Sequence, residues 1–473
     1  MGQEIKDSHF EPGDFEVFAE RLRQETELLA AWLQNGSFPQ TSNVGGFELE
    51  AWLVDSAGRP APIIQPYLER LGSPLVVPEL ATFNVELNGS PCTLTGDALS
   101  RLQKELEQTW RRCNRVAGEL DARLAMIGIL PTVKAEDLTL ANMSPLHRYH
   151  ALNEQILRLR GGRPLEVVVD GQDHLHLIHE DVMLESAATS FQIHLKVDAC
   201  EGGRFYNASK ILSGPMVAVS ANSPYLFGRD LWDETRIPLF EQAVSVGGTK
   251  QTKRVTYGIR YVRETIMECF EANLERYPVL LPRLMDEPPE SLAHLRLQNG
   301  TIWRWNRPLI GFNAAGEPHL RIEHRVAPAG PSIADAIANA AFYFGAVCAL
   351  ARQGEPPEAR LSFQAAKENF YAAARRGLRA EVRWLDGRTG GVSDLILAKL
   401  LPLARQGLMS LGIDREETAN WLGIIEGRAA TGRNGAAWQR SWVKKNGPDM
   451  QGLMQAYLEQ QATGAPVHEW QIK

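Results

Sequence analysis

Apolar and polar residues alternate with a period of two in four stretches of this chain, and successive side chains of a strand point to opposite faces. In Gly46-Phe-Glu-Leu-Glu-Ala-Trp-Leu-Val54, residues Phe47, Leu49, Ala51 and Leu53 fall on one face and Glu48, Glu50 and Trp52 on the other. Asn84, Glu86 and Asn88 oppose Phe83, Val85 and Leu87. Gln192, His194 and Lys196 oppose Phe191, Ile193, Leu195 and Val197. Arg321, Glu323 and Arg325 oppose Leu320, Ile322, His324 and Val326. Together they predict one mainly antiparallel sheet, with an apolar face packed on helices and a polar concave face lining a cleft. Carboxylates crowded on such a face call for cations between them, because their repulsion grows steeply once water is excluded.

Helical periodicity fills the intervals. Phe15, Phe18, Leu22, Leu29 and Leu33 predict a helix over 14–34, with Gly36 as its stop. A long helix is expected over 97–126, ended by Gly128-Ile-Leu-Pro131. Ser144-Pro145 reads as an N-cap followed by proline at the first helical position, opening a helix that carries Arg148 and Tyr149. Residues 167–169 and 175–178 read as a short strand pair, in which His174, His176 and His179 could bind a metal but more often are structural in such an alternating pattern, and 211–221 as a buried helix. Glu79 stands an odd number of residues from Glu86, so one continuous strand would put them on opposite faces. Glu79 can serve the same cleft only from before that strand or across a bulge. Residues 331–473 read as helical, with Trp384, Trp421, Trp438 and Trp442 as packing anchors. The fold class is α+β, with a catalytic core over 1–330 and a helical C-terminal region over 331–473 packed on it.

Composition narrows the function. With 473 residues, 44% of them hydrophobic, the chain can bury a sizeable core, and its net charge of -7 argues against a broad nucleic-acid surface. Cys92, Cys113, Cys200, Cys269 and Cys348 are scattered and form no CxxC pair, which fits reduced thiols in a cytoplasm. No apolar signal core opens the chain, and the apolar run 333–351, interrupted by Asp335 and Asn339, reads as a buried core helix rather than a membrane span. A soluble cytoplasmic protein without membrane or nucleic-acid partners is expected; homo-oligomer formation stays open. Gly247-Gly-Thr-Lys-Gln-Thr-Lys-Arg254 lacks the GK[ST] ending of a P-loop and reads either as a mobile basic loop or as a flap over phosphates. Trp303, Trp305, Asn306 and Arg307 form an aromatic–basic cluster just before the Arg321 strand.

Gly46-Phe-Glu-Leu-Glu50, Pro78-Glu-Leu-Ala-Thr-Phe-Asn-Val-Glu-Leu-Asn88, Gln192-Ile-His194, Ala221-Asn-Ser-Pro-Tyr-Leu-Phe-Gly-Arg229 and Arg321-Ile-Glu-His-Arg325 form an ordered set. In it the chain resembles the family-2 glutamate–cysteine ligases, or carboxylate–amine ligases. The resemblance implies a glutamine-synthetase-like fold and ATP-dependent joining of the glutamate γ-carboxylate to an amine through a γ-glutamyl phosphate. Cysteine is the first candidate amine, which would place the enzyme in glutathione biosynthesis. The resemblance also implies Mg²⁺ (or Mn²⁺) held by Glu48, Glu50, Glu79, Glu86, His194 and Glu323, with Arg325 near the transferred phosphoryl group. Arg325, Glu323 and Glu50 are the expected catalytic residues. Arg148, Tyr149, Gln192, Asn222, Arg260 and Arg321 are the expected substrate and ATP contacts.

Elementary chemistry points the same way. Glutamates with a single histidine make a hard-oxygen donor set suited to Mg²⁺ or Mn²⁺. Phosphoryl transfer needs cations bridging the phosphates, and carboxylates on a rigid sheet fix them in place. An arginine two residues from a metal-binding glutamate can neutralise charge developing on the transferred group. Other readings remain open. His194 also suits a structural histidine, Arg321 a partner of a nearby glutamate, and Asn222 a backbone-binding role. Gly128-Ile-Leu-Pro131 stands where family members commonly carry Gly-Thr-His-Pro, which leaves the acceptor open. A different acceptor amine, or a non-catalytic relative that binds nucleotide or metabolite, are the alternatives. A metallohydrolase is disfavoured by the lack of an HExxH pair.

Overall fold

Strand β1 (Val44–Val54) is the spine of the main sheet, in a computed structural model that describes residues 10–40, 43–247 and 252–472. The other strands are β2 (Val76–Pro78), β3 (Asn84–Asn88), β4 (Cys92–Thr93), β5 (Arg123–Ala125), β6 (Phe191–Val197), β7 (Asn306–Phe312) and β8 (Pro318–His324). Their order is β7-β8-β6-β1-β3-β2, with β4 and β5 pairing on β1, and every pairing is antiparallel. Directly paired residues share a face. Glu48 pairs with Asn88 and Gln192, Glu50 with Glu86, His194 with Gly46 and Glu323, and Glu323 with Arg307. The alternation read from the chain therefore becomes a single polar face.

Helix α1 (Pro12–Gln34) follows the expected stretch, and α2 begins as expected but spans only Ala98–Gly118. The helix expected over 97–126 is thus corrected. The chain turns through Asp121 at φ 54°, and Arg123–Ala125 leave as β5, pairing Leu124 with Leu53. Helix α3 spans His147–Leu159 with Leu146 at its N-cap; the Ser144 hydroxyl donates to the Glu79 carbonyl instead of capping a helix. The expected strand pair near 167–178 is a hairpin of Leu165–Asp170 and His174–His179, separate from the main sheet.

Two buried helices back the apolar face: α4 (Gly202–Ser220) and α5 (Ile333–Ala351). His324 stacks on Tyr343 at 4.3 Å, and Asn306 Nδ2 donates to Ser213 Oγ at 2.9 Å. Helix α5 is long and apolar enough to cross a membrane, yet 83% of its most apolar window is buried inside the molecule, so it packs as a core helix. Helices dominate after residue 331, apart from the small hairpin Glu381–Arg383/Thr389–Gly391. Trp384, Trp421, Trp438 and Trp442 are all buried there. Of the Gly247–Arg254 stretch, residues 248–251 lie outside the described residues; Arg254 is buried and donates to the Thr301 carbonyl at 3.0 Å. The five cysteines are free thiols.

Candidate active site

Three strands meet at one point of the polar face. Glu48 on β1, His194 on β6 and Glu323 on β8 each bring a ligand atom within 4.8 Å of the others. His194 Nε2 faces Glu48 Oε1 at 3.4 Å. Arg307, paired with Glu323 across β7 and β8, grips its carboxylate through Nε at 2.8 Å and Nη2 at 2.9 Å. Arg325 Nη1 adds a third contact at 3.2 Å. Burial works to raise the Glu323 carboxyl, but the two guanidinium groups hold it well below the usual range. Burial likewise opposes ionisation of Glu48, and the adjacent His194 imidazole overrides it, holding the carboxyl at about 2.

Beside this triad stand three more carboxylates, all with raised affinity for protons from burial and from neighbouring carboxylates. Glu86, opposite Glu50, is pushed well above the usual range by burial and by Glu48 and Glu79. Glu50 is pushed up to about 7 by burial and Glu79, against the pull of Arg325. Glu79 joins them because it sits before β3: Val77 on β2 pairs with Glu86, and two residues on the chain returns to the same face. The Tyr149 hydroxyl donates to Glu79 Oε2 at 3.4 Å and accepts from Arg148 Nη2 at 2.8 Å. Burial raises Glu79 while Arg148 draws it down.

The braces are hydrogen bonds. Glu50 accepts from the Ser190 amide at 2.6 Å and from Gln192 Nε2 at 2.9 Å, while Arg325 donates to Gln192 Oε1. Asn88 Nδ2 donates to Glu86 Oε1 at 2.9 Å. Glu48 Oε2 and Glu86 Oε2 are buried without a hydrogen-bond partner. Such orphaned oxygens are costly unless something cationic meets them, so the donor set fits a hard divalent ion. His194 Nδ1, when it carries no proton, accepts from Arg321 Nε at 3.3 Å. For Nε2 to act as a ligand, Arg321 must release Nδ1.

Glu48, Glu50, Glu79, Glu86, Arg148, Tyr149, Gln192, His194, Arg321, Glu323 and Arg325 are thus brought together, and two expected contacts are not. Asn222 is fully buried away from the cluster. Its Nδ2 donates to the Ala329 carbonyl and the Tyr457 hydroxyl, both at 2.8 Å, and its Oδ1 accepts from Gln439 at 2.9 Å, so protein groups use its amide. Arg260 donates to Glu268 and to the Tyr261 carbonyl at 3.1 Å, beside α4 behind the sheet. His174, His176 and His179 bond Asp170, Glu166 and Asp181 at 2.6, 3.0 and 2.8 Å, a structural arrangement.

Sequence reasoning missed the roles of Arg307, Glu185 and Arg236. Arg307 was legible only as part of an aromatic–basic cluster, since nothing along the chain says that it pairs with Glu323. Glu185 lies in a short 3-10 turn whose neighbours are buried; burial, Glu79 and Glu50 push it up to about 8. Arg236 is buried, donates to Glu234 at 3.0 Å and to the Arg325 carbonyl at 3.3 Å, and acts electrostatically on Glu50.

A rigid antiparallel sheet that presents crowded carboxylates beside buried arginines is an arrangement suited to binding divalent cations. The chain belongs to glutamate–cysteine ligase family 2, whose family model matches residues 44–463. No curated protein matches it. Among solved structures, it is similar to a glutamate–cysteine ligase from Francisella tularensis in complex with AMP, at TM-score 0.57 and 12% identity, over 92% of this chain and 91% of that one. It is also similar to a bifunctional glutathione synthetase from Pasteurella multocida, at TM-score 0.48 and 11% identity, over 93% of this chain and 55% of that one. At 12% identity the likeness to the Francisella tularensis ligase is one of fold.

Proposed function

We propose that the protein uses ATP to join the γ-carboxylate of glutamate to an amine, with cysteine as the first candidate, through a γ-glutamyl phosphate. The observation that carries this reading is the convergence of Glu48, His194 and Glu323 within 4.8 Å, with Arg325 and Arg307 against Glu323. Family membership supports ATP as the phosphoryl donor. Glu48, His194 and Glu323 would hold one Mg²⁺ or Mn²⁺, and Glu50, Glu79 and Glu86 a second. Bound there, the ions would neutralise the triphosphate and orient its terminal group.

The chain's own residues supply the rest. Arg325 stands where it can offset charge on the phosphoryl group as the glutamate γ-carboxylate attacks and ADP departs. Gln192 fixes Arg325 relative to Glu50, and Arg307 fixes Glu323. Arg148 and Tyr149, at the Glu79 end of the cluster, suit the carboxylate of the bound amino acid. The amine then attacks the acyl phosphate, loses a proton and expels phosphate; positioning does most of that work because the acyl group is already activated.

Incubation with ATP, Mg²⁺ and glutamate, followed by a screen of amines for phosphate release, tests the reading. Amine-dependent release identifies both the reaction and the acceptor. ATP binding without turnover for any amine would overturn it in favour of a non-catalytic relative.

A further inference from the structure

Behind the sheet, away from the carboxylate cluster, helix α4 carries Lys210 to the wall of a small cavity that Arg304 also lines. Both cations are buried: Lys210 is 1% and Arg304 7% exposed. A buried cation ordinarily has an acidic partner, because leaving it without one is strongly destabilising. Here the attractions acting on them come from phenols and a thiol. Lys210 feels Cys269 and is repelled by Arg304 and Lys367, and Arg304 feels Tyr206, Cys269 and Tyr277, the last also by a hydrogen bond. Among the described residues, the one carboxylate in the cavity wall, Glu268, is already used: it pairs with Arg260 and accepts the Arg263 and Glu264 amides, each at 2.8 Å.

The donors are only partly satisfied. Lys210 Nζ donates to the Tyr257 carbonyl at 2.5 Å and otherwise faces aromatic rings, Tyr206 at 4.7 Å, Tyr257 at 5.0 Å and Phe363 at 5.8 Å. Arg304 Nη1 is buried without a hydrogen-bond partner. Burial lowers Lys210 to about 7, as expected of an ammonium without a counter-ion. Gly258, at φ 104°, lets the backbone close over this ammonium, since a Cβ there would stand 3.0 Å from Nζ. The cavity holds about 50 Å³. At roughly 10–15 Å³ for each water on this measure, that is room for a few waters or one tetrahedral oxyanion.

We infer that Lys210 and Arg304 form a second, non-catalytic anion site, built to take inorganic phosphate or the phosphate head of a small metabolite. It is independent of the ligase reading, since none of its residues belongs to the carboxylate cluster. It shares a stretch of backbone with that cluster: Arg304 precedes Trp305, whose carbonyl accepts the Arg325 amide at 3.0 Å, and Arg307, which holds Glu323. An occupied pocket would steady this stretch.

Inorganic phosphate is titrated into the full-length protein in metal-free, EDTA-containing buffer, with thermal midpoint and calorimetric heat as readouts. The wild type and Arg325→Ala should both show a saturable rise in Tm with phosphate, while Lys210→Met and Arg304→Gln should lose it. Lys210→Met should also melt higher than the wild type in phosphate-free buffer, because it removes an uncompensated charge. If Lys210→Met does not fold, Arg304→Gln alone carries the comparison. Absence of a saturable response in the wild type, or equal responses in wild type and Arg304→Gln, would overturn the site. Loss of the response in Arg325→Ala alone would assign the phosphate to the carboxylate cluster and overturn it too. The phosphate head of a metabolite is distinguished from the free ion by repeating the titration with glycerol phosphate.

Discussion

Arg307 holds both carboxylate oxygens of Glu323, at 2.8 and 2.9 Å, from the directly paired position on the neighbouring strand. The guanidinium fork fits the planar carboxylate in a way a lysine ammonium cannot. Arg307→Lys should therefore fold but turn over about 10–100-fold more slowly and need more Mg²⁺, as expected if Glu323 is the metal ligand proposed above and the residue orienting it is weakened. Arg307→Ala should also lose stability, by about 3 kcal/mol, since a buried carboxylate loses its main partner. A Mg²⁺ titration of activity and urea unfolding check both.

Glu50→Gln and Glu323→Gln should abolish turnover while leaving the fold intact. Each keeps the side chain's shape and removes a charge from the cluster. Phosphate release alongside circular dichroism is the measurement, and normal activity in both variants would remove these residues from the reaction.

Stability should depend on pH through Glu50. Its carboxyl is pushed up to about 7 in the folded protein, from an ordinary value of 4.5. The folded state thus binds the proton more tightly, so the contribution is full below the ordinary value and is lost as pH rises through about 7. His324 and His319, lowered to about 3 and about 4, act oppositely and at lower pH. Without metal, Glu50→Gln should gain thermal stability relative to the wild type as pH rises from about 5 to about 8. Added Mg²⁺ should stabilise the wild type more at the upper end, where protons no longer compete. Melting curves at stepped pH, with EDTA or Mg²⁺, decide this; a difference independent of pH would contradict it.

Asn222 ties the core to the C-terminal helices. Asn222→Ala would strip partners from Tyr457, Gln439 and the Ala329 carbonyl, at a cost on the order of 3 kcal/mol. KM for ATP and glutamate should stay unchanged. A raised KM with normal stability would return Asn222 to the substrate site.

Much of the polar face was legible along the chain, because period-two alternation states which side chains share a side before any partner strand is known. Glu48, Glu50, Glu86, His194 and Glu323 were found that way. Glu79 illustrates the limit: its parity was wrong for one strand and became right only through the β2–β3 return, which is a property of pairing. Arg307 and Glu185 were missed for the same reason, as their meaning lies in what stands opposite. The α2 boundary failed because Leu124 and Ala125 suit a helix stripe or a strand equally, and pairing with β1 decides between them. Ser144 likewise met the Glu79 carbonyl, a partner far away along the chain, before it could cap α3.

Glu48, His194 and Glu323 come from three adjoining strands that are distant along the chain. A nascent polypeptide emerging from the ribosome therefore carries the first acids long before it carries the last. Until β8 docks, a half-made chain lacks Glu323 and so the three-strand convergence that the proposed cation site requires.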